Sequence, residues 1–198
     1  MQQQLIQMLH EAAESDLFAT IVNAPFQFQV DAALMFLGII VLLLADSKSK
    51  QIYRVALTNN DMAEAAKKVS VKKFQDIVIP TNSRKNLIAQ VIRNGRPAMT
   101  TDWKDLFIPS LTPAQSRINQ ANAGIASSAV YPLTGMDCGG ALIFSYYQYI
   151  DKISAKTKKF MESYVQGVSD ELSKHPALCE SYLVNLELAP GNLRRPKK

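Results

Sequence analysis

The sequence predicts an α+β protein in which an antiparallel sheet is flanked by helices, with a long helix near each end of the chain. Apolar stripes with helical spacing occur over residues 5–21 and 160–172. Between them lie short apolar stretches, joined by polar turns that are too short to connect parallel strands. With 198 residues, 47% of them hydrophobic, the chain is long enough to bury a core of its own.

The first part of the chain is predicted to run from helices into a β-hairpin. A helix is expected over residues 2–22 and a second one over about 28–35. The uncharged run 32–45 is shorter than the ~20 apolar residues of a membrane-spanning helix. We therefore predict that it passes from a buried helix end into a central strand. A polar turn at 46–50 then leads to a strand over 51–57.

The middle of the chain is predicted to alternate short helices with short extended segments. Polar residues that can cap a helix precede several apolar stretches, and one Thr-Pro-Ala-Gln sequence is typical of a helix start. The predicted elements are a helix over 62–69, an extended segment over 74–79, a helix capped by Asn82 or Ser83 and ended by Gly95, a strand over 96–101 and a helix from Thr112 to about 123.

The last third of the chain is predicted to be a second hairpin followed by a long helix. Two apolar stretches, ending at 133 and beginning at 141, flank a glycine-rich turn at 135–140. The helix is expected over 154–174, because Pro176 follows it and its apolar side chains recur on one face.

Taken in order, these segments resemble a GAF domain over about residues 15–173. LGIIVLLLADSKSKQIYRVAL resembles the opening hairpin of that family, and LIAQVIRNGRP resembles the helix before its Gly-x-Pro and following strand. Thr101-Asp102 resembles the Asp after that strand, and AVYPLTGMDCGGALIF resembles the closing hairpin. The resemblance implies a ligand pocket between the sheet and the loops and helices in the middle of the chain.

Three known activities of the family are not implied, because their motifs are missing. The sequence has no Asn-Lys-Phe-Asp-type signature of cyclic-nucleotide-binding members. Cys138 and Cys179 are followed by Gly139 and Glu180, whereas bilin attachment often uses a Cys followed by His. The middle region also has none of the cysteines that methionine sulfoxide reductase members use.

The charge distribution argues against a nucleic-acid partner, and no membrane partner is expected, although the basic tail could touch phosphate or an anionic membrane instead of being a solvated end. Four of the last five residues are basic, and without these five the chain has 18 basic and 17 acidic residues. The two cysteines form no paired framework, so a cytoplasmic location is expected. No motif of a known catalytic or metal site is present. We therefore predict no enzyme activity, no metal site and no cofactor, although Cys138 could be a reactive thiol.

The candidate pocket residues lie on a strand of the first hairpin, in the middle segment and on the first strand of the second hairpin. Arg54 could pair with a ligand carboxylate or phosphate, or it could face solvent. Trp103 could form a wall of an apolar cavity, or it could be a core residue. The candidate ligand-binding residues are Arg54, Thr101, Asp102, Trp103, Ser128 and Tyr131.

The apolar stripes of the terminal helices suggest a homodimer. The resemblance supports this prediction, since GAF domains often pair through helical bundles. The alternative is that the stripes only cover the sheet of their own protomer. The candidate interface residues are Leu5, Leu9, Phe160, Tyr164 and Val168.

We predict three parts: an N-terminal helix over 1–24, a GAF-like domain over 25–175 and a basic tail over 176–198. The predicted function is a cytoplasmic sensory or regulatory module that binds an unknown small molecule. It would signal through its terminal helices or through a separate output protein. The alternatives are a dimerising adaptor without a ligand and a Cys-based redox enzyme on the same scaffold.

Overall fold

The structure is a computed structural model that describes residues 1–136, 138–149, 151 and 153–188. Its strands are β1 (Leu37–Asp46), β2 (Gln51–Leu57), β3 (Ile79–Pro80), β4 (Ala98–Thr100), β5 (Ser127–Leu133) and β6 (Gly139–Tyr146). Its α-helices are α1 (Gln2–Glu11), α2 (Leu17–Gln27), α3 (Gln29–Leu34), α4 (Asp61–Val69), α5 (Leu87–Asn94), α6 (Lys104–Phe107), α7 (Pro113–Asn122), α8 (Ala155–Leu172) and α9 (Pro176–Leu188).

The strands form one antiparallel sheet in the order β3-β2-β1-β6-β5-β4, with helices on both faces. The predicted α+β class and antiparallel sheet are therefore confirmed. Strand β1 lies at the centre between β2 and β6, and all of its residues are buried. Because side chains alternate across a strand, β1 contributes to two separate cores, one on each face.

The first face of the sheet is covered by the terminal helices α1, α2, α8 and α9. All five residues predicted for the dimer interface are buried here, inside the protomer. Their side chains pack in the same core as the even-numbered residues of β1 and β6, which matches the alternative that the stripes cover their own sheet. These five residues therefore present no free surface to a second copy, and a homodimer would have to use other side chains.

Helix α2 continues through Pro25, whereas the sequence prediction ended this helical stretch at residue 22. A proline within a helix has no N–H, so the carbonyl four residues earlier loses its usual donor. That carbonyl belongs to Ile21, and it accepts a hydrogen bond from the Tyr164 hydroxyl at 2.7 Å. Tertiary contact with α8 thus replaces the missing backbone bond.

Other boundaries also differ from the sequence prediction. The predicted first helix is divided into α1 and α2 by a 3₁₀ turn at Glu14–Asp16. The segment 74–79, expected to be extended, contains a 3₁₀ turn at Phe74–Asp76 before the two-residue β3. Helix α5 is capped by Asn86, whose side chain accepts from the Ala89 amide at 3.1 Å, rather than by Asn82 or Ser83. Helix α6 was not predicted.

The region beyond Pro176 was predicted to be a basic tail, but its first part is helix α9. Cys179 and Leu183 of this helix are buried against the first face of the sheet. The Tyr182 hydroxyl donates to the Val55 carbonyl at 3.0 Å. Residues 189–198, which hold the basic cluster, lie outside the described residues, as does residue 137 in the predicted hairpin turn. Within the described ranges, every helix is too short or too polar to span a lipid bilayer.

Candidate functional site

The second face of the sheet is incompletely filled and leaves a cavity of about 490 Å³. Strands β1, β2 and β6 form its floor, and residues from α4, the segment 70–77, α6 and α7 form its walls. A volume of this size is in the range of small-molecule sites. Apolar side chains make up much of the lining, including Ile39, Val41, Leu57, Ala66, Leu106 and Ile143.

Arg54 on β2 lies in the wall of this cavity and is only 4% exposed. Within the described residues, its Nε and Nη2 atoms are buried and have no hydrogen-bond partner. Its Cζ lies 4.3 Å from the centre of the Phe107 ring and 5.6 Å from that of Phe74. Burial lowers the pKa of Arg54 to about 9, so the guanidinium is still cationic at pH 7. The sequence had left open whether Arg54 faces solvent or a ligand, and the structure places it at the cavity.

Two more polar side chains line the cavity, and one of them has a buried oxygen without a partner within the described residues. The Ser70 Oγ is buried and makes no hydrogen bond. Asn119 of α7 is buried and lines the cavity. Since buried polar groups are normally paired, the lining has hydrogen-bonding capacity left for a bound molecule.

Trp103 forms part of the cavity wall and is also a core residue, so both interpretations of this position apply. Its Nε1 donates to the Ser128 Oγ at 2.9 Å, and that oxygen lies 2.8 Å from the Ser145 Oγ. Its backbone amide donates to the Gln120 Oε1 at 2.8 Å. The indole N–H is thus already used within the protein. Trp103 offers an apolar surface to the cavity, while Ser128 lies behind it.

Asp102 and Thr101 do not line the cavity. Asp102 accepts from the backbone amide of Lys104 at 2.9 Å and pairs with Arg117 at 2.8 Å. Partial burial alone would raise the pKa of Asp102, but the hydrogen bonds from Arg117 and the Lys104 amide outweigh it and lower the pKa. Thr101 is exposed, and its carbonyl accepts from Gln120 at 2.9 Å. Both residues therefore shape the loop that begins α6.

Tyr131 lies on the opposite face of the sheet from Arg54. Its ring contacts Phe144 edge-on at a centre-to-centre distance of 5.9 Å, in the core under the terminal helices. Because Ser128 and Tyr131 are an odd number of residues apart on β5, they face opposite sides. The structure thus brings Arg54, Trp103 and Ser128 to one region and leaves Tyr131 outside it.

Sequence reasoning missed several residues that define the cavity. Phe74 and Phe107 contact Arg54 from two different segments, and neither segment was assigned its observed helical structure. Asn119 lies on a predicted helix, but no signal in one sequence marks which face of that helix meets the sheet. Lys72 and Lys73 are exposed residues that also line the cavity. Their position at its mouth depends on the 3₁₀ turn at Phe74–Asp76, which follows them directly.

Cys138, the thiol considered as reactive, is half-buried beside Cys179, and the environment of Cys179 does not favour a reactive thiol at that second position. Cys179 is buried against the first face of the sheet. Its hydrogen bond with Cys138, together with burial, raises the pKa of the Cys179 thiol, which is therefore protonated at neutral pH. Within the described residues, no group of three or more His, Cys, Asp and Glu is arranged to hold a metal ion.

The chain is similar to solved GAF domains along most of its length. The GAF domain of an Acinetobacter phosphoenolpyruvate-protein phosphotransferase has 12% identity and a TM-score of 0.59, over 89% of this chain and 92% of that chain. The phycocyanobilin-bound GAF domain of a cyanobacterial phytochrome has 11% identity and a TM-score of 0.55, over 88% and 94%. Free methionine-R-sulfoxide reductase from Neisseria meningitidis, solved with its substrate, has 14% identity and a TM-score of 0.52, over 91% and 88%.

At these identities the likeness establishes the fold, and the predicted GAF-like domain is confirmed at that level. At the level of sequence, no protein-family profile and no curated protein matches the chain. The similar structures include domains from a phosphotransferase, a phytochrome and a chemotaxis protein, together with one reductase.

Proposed function

We propose that this chain is a sensory or regulatory module that binds a small molecule in the cavity on the second face of the sheet. The observation that carries the proposal is the cavity itself. It has a volume of about 490 Å³, an apolar lining and, within the described residues, buried atoms of Arg54 and Ser70 without hydrogen-bond partners. A domain with a collapsed pocket, as the adaptor alternative requires, would have filled this volume with side chains.

Two comparisons support the proposal by analogy of fold. One similar GAF domain holds phycocyanobilin, and the similar reductase holds its substrate. The present chain would bind a different molecule, since the Cys that bilin attachment would need is not in the cavity lining. The proposal concerns binding and regulation rather than catalysis, and its location would be cytoplasmic.

Signalling is the second part of the proposal. Ligand binding would alter the sheet, and the terminal helices on the other face would transmit the change to a second copy or to a separate output protein. Strand β1 supports this route because its residues form both the cavity floor and the core under α2 and α8. The homodimer in this proposal would be held by side chains other than the five that are buried in the protomer.

Native mass spectrometry of freshly purified protein tests for the bound small molecule and for the dimer. A mass exceeding one or two chains by a few hundred daltons, lost on denaturation, would support a bound small molecule and allow its identification. The number of chains in the complex, read from its mass, would show whether the protein is a dimer. A chain without added mass that no small molecule stabilises against heat would favour the adaptor alternative. A ligand at one hundred times its dissociation constant adds about 2.7 kcal/mol to the unfolding free energy, which thermal denaturation detects.

A further inference from the structure

The cavity contains a buried cation that no residue of the described chain neutralises. Arg54 forms no ion pair within the described residues, and two of its three guanidinium nitrogens have no hydrogen-bond partner. An uncompensated charge costs several kcal/mol to bury, so stability does not explain an arginine at this position. An apolar side chain of similar length would fill the same space at a lower cost.

The unpaired atoms of Arg54 lie on one edge of its guanidinium. Nε and Nη2 project their hydrogens in the same direction, and this edge can bind both oxygens of a carboxylate side by side. Arg117 uses the same edge elsewhere in this chain, where its Nε and Nη2 both donate to one carboxylate oxygen, Oδ2 of Asp102, at 3.0 and 2.8 Å. Contact with the Phe107 ring at 4.3 Å restricts Arg54 and leaves that edge without a protein partner.

The remaining lining limits the size and charge of the ligand. Apart from Arg54, the charged residues that line the cavity are Lys67, Lys72 and Lys73, which are all exposed. Lys67 is paired with Glu64. One buried cation balances one negative charge, whereas a phosphate monoester would bring a second negative charge into an apolar space. The exposed lysines favour the approach of an anion without neutralising it inside.

We propose that the cavity binds an organic monocarboxylate with a mostly apolar body, whose carboxylate pairs with the Nε–Nη2 edge of Arg54. The apolar body would pack between the strand residues Val41 and Ile143 and the wall formed by Trp103 and Leu106. Ser70 and Asn119 would supply further hydrogen bonds to polar groups of the ligand. This inference rests on the proposed function, because it assigns a chemical class to the same site.

The test is a titration calorimetry series with matched acids and amides. Phenylacetate, indole-3-acetate and octanoate would each be compared with the corresponding primary amide, and phenyl phosphate would be added as a dianion. We expect the best acid to bind about 10- to 100-fold more tightly than its amide, as for a hydrogen bond to a charged group. In Arg54→Met this preference should disappear, and in Arg54→Lys it should be reduced.

Lys72→Gln is the matched control, since it removes an exposed cation from the cavity mouth and should change affinity by less than about threefold. Thermal denaturation of Arg54→Met shows whether the variant is folded, and its melting temperature should equal or exceed that of the wild type. Equal binding of acids and amides would overturn this inference while leaving the proposed function intact, and tighter binding of phenyl phosphate would replace the carboxylate with a phosphate. If neither acids nor amides bind and the purified protein carries no ligand, both proposals fail.

Discussion

Adjacent residues of β6 belong to two very different environments. Leu142 and Phe144 face the terminal helices, in a core where aromatic rings contact one another at 5.9 to 6.4 Å. Ile143 and Ser145 face the other side and line the cavity. One strand thus supplies a core rich in aromatic contacts and, on its other side, an incompletely filled layer that contains buried atoms of Arg54 and Ser70 without partners within the described residues.

This difference suggests that one face of the sheet mainly stabilises the fold and the other mainly serves binding. The first face, under the terminal helices, has the larger of the two cores and joins residues from both ends of the chain. The cavity face holds a buried cation and empty volume, both of which reduce stability. Such features persist where function requires them, which agrees with a binding role for this face.

The largest predicted effect compares Leu142→Ala with Ile143→Ala. The two substitutions remove the same number of carbon atoms from neighbouring residues of β6. We expect Leu142→Ala to reduce the unfolding free energy by about 3 to 4 kcal/mol, because it creates a void in a filled core. Ile143→Ala should cost about 2 kcal/mol, since it enlarges a cavity that already exists. Urea denaturation of both variants measures the difference, and equal losses would contradict the distinction between the faces.

A smaller loss is expected for Ser128→Ala. This change removes the acceptor of the Trp103 indole N–H and one partner of Ser145. A buried donor left without a partner costs about 1 to 2 kcal/mol. The control is Ser127→Ala on the neighbouring position of β5, whose hydroxyl donates to a backbone carbonyl instead. Denaturation, together with the fluorescence of Trp103 as the single tryptophan of the chain, would report the change. An unaltered emission spectrum would indicate that the bond does not form.

Arg54→Met should change the unfolding free energy in the opposite direction from the preceding substitutions. Removing an uncompensated buried charge is expected to raise the unfolding free energy by about 1 kcal/mol, with the lost contact to the Phe107 ring reducing the gain. Urea denaturation of the ligand-free protein measures this effect. A loss of several kcal/mol would mean that Arg54 supports the fold and would weaken the argument for a binding role.

The smallest predicted effect is a pH dependence of stability that arises from a charged residue on the first face. Glu171 of α8 contacts Lys174 at 2.7 Å and His175 at 3.4 Å. Burial alone would raise the pKa of Glu171, but the bonds from Lys174 and His175 outweigh it and lower the pKa. A lowered folded-state pKa gives stability that is present above the ordinary value near 4.5 and is lost as pH falls through the folded value.

We therefore expect wild-type stability to decrease below about pH 5 by up to about 1 kcal/mol more than that of Glu171→Gln. Thermal denaturation between pH 3 and pH 7 measures both proteins. Parallel pH profiles would show that this group of charges contributes nothing to the fold.

The sequence by itself was sufficient to predict the general architecture. Short apolar stretches bounded by polar turns indicated the strands that became β1, β2, β5 and β6, and helical spacing indicated the long helix that became α8. The Thr112 cap of α7 was predicted from Thr-Pro-Ala-Gln, and the structure shows its side chain accepting from the Gln115 amide. These features depend on neighbouring residues, so one sequence contains the necessary information.

Only the tertiary structure decided how the distant segments meet. Helix α2 passes through Pro25 because Tyr164, far along the chain, bonds the carbonyl that proline leaves without a donor. Arg54 becomes a binding candidate because Phe74 and Phe107 enclose it, and Tyr131 is removed from the site because its strand position faces the other core. Residues 176–188 form α9 because the sheet offers a surface for Cys179 and Leu183. Such outcomes depend on packing between segments, whereas patterns along the chain report only the structure within each one.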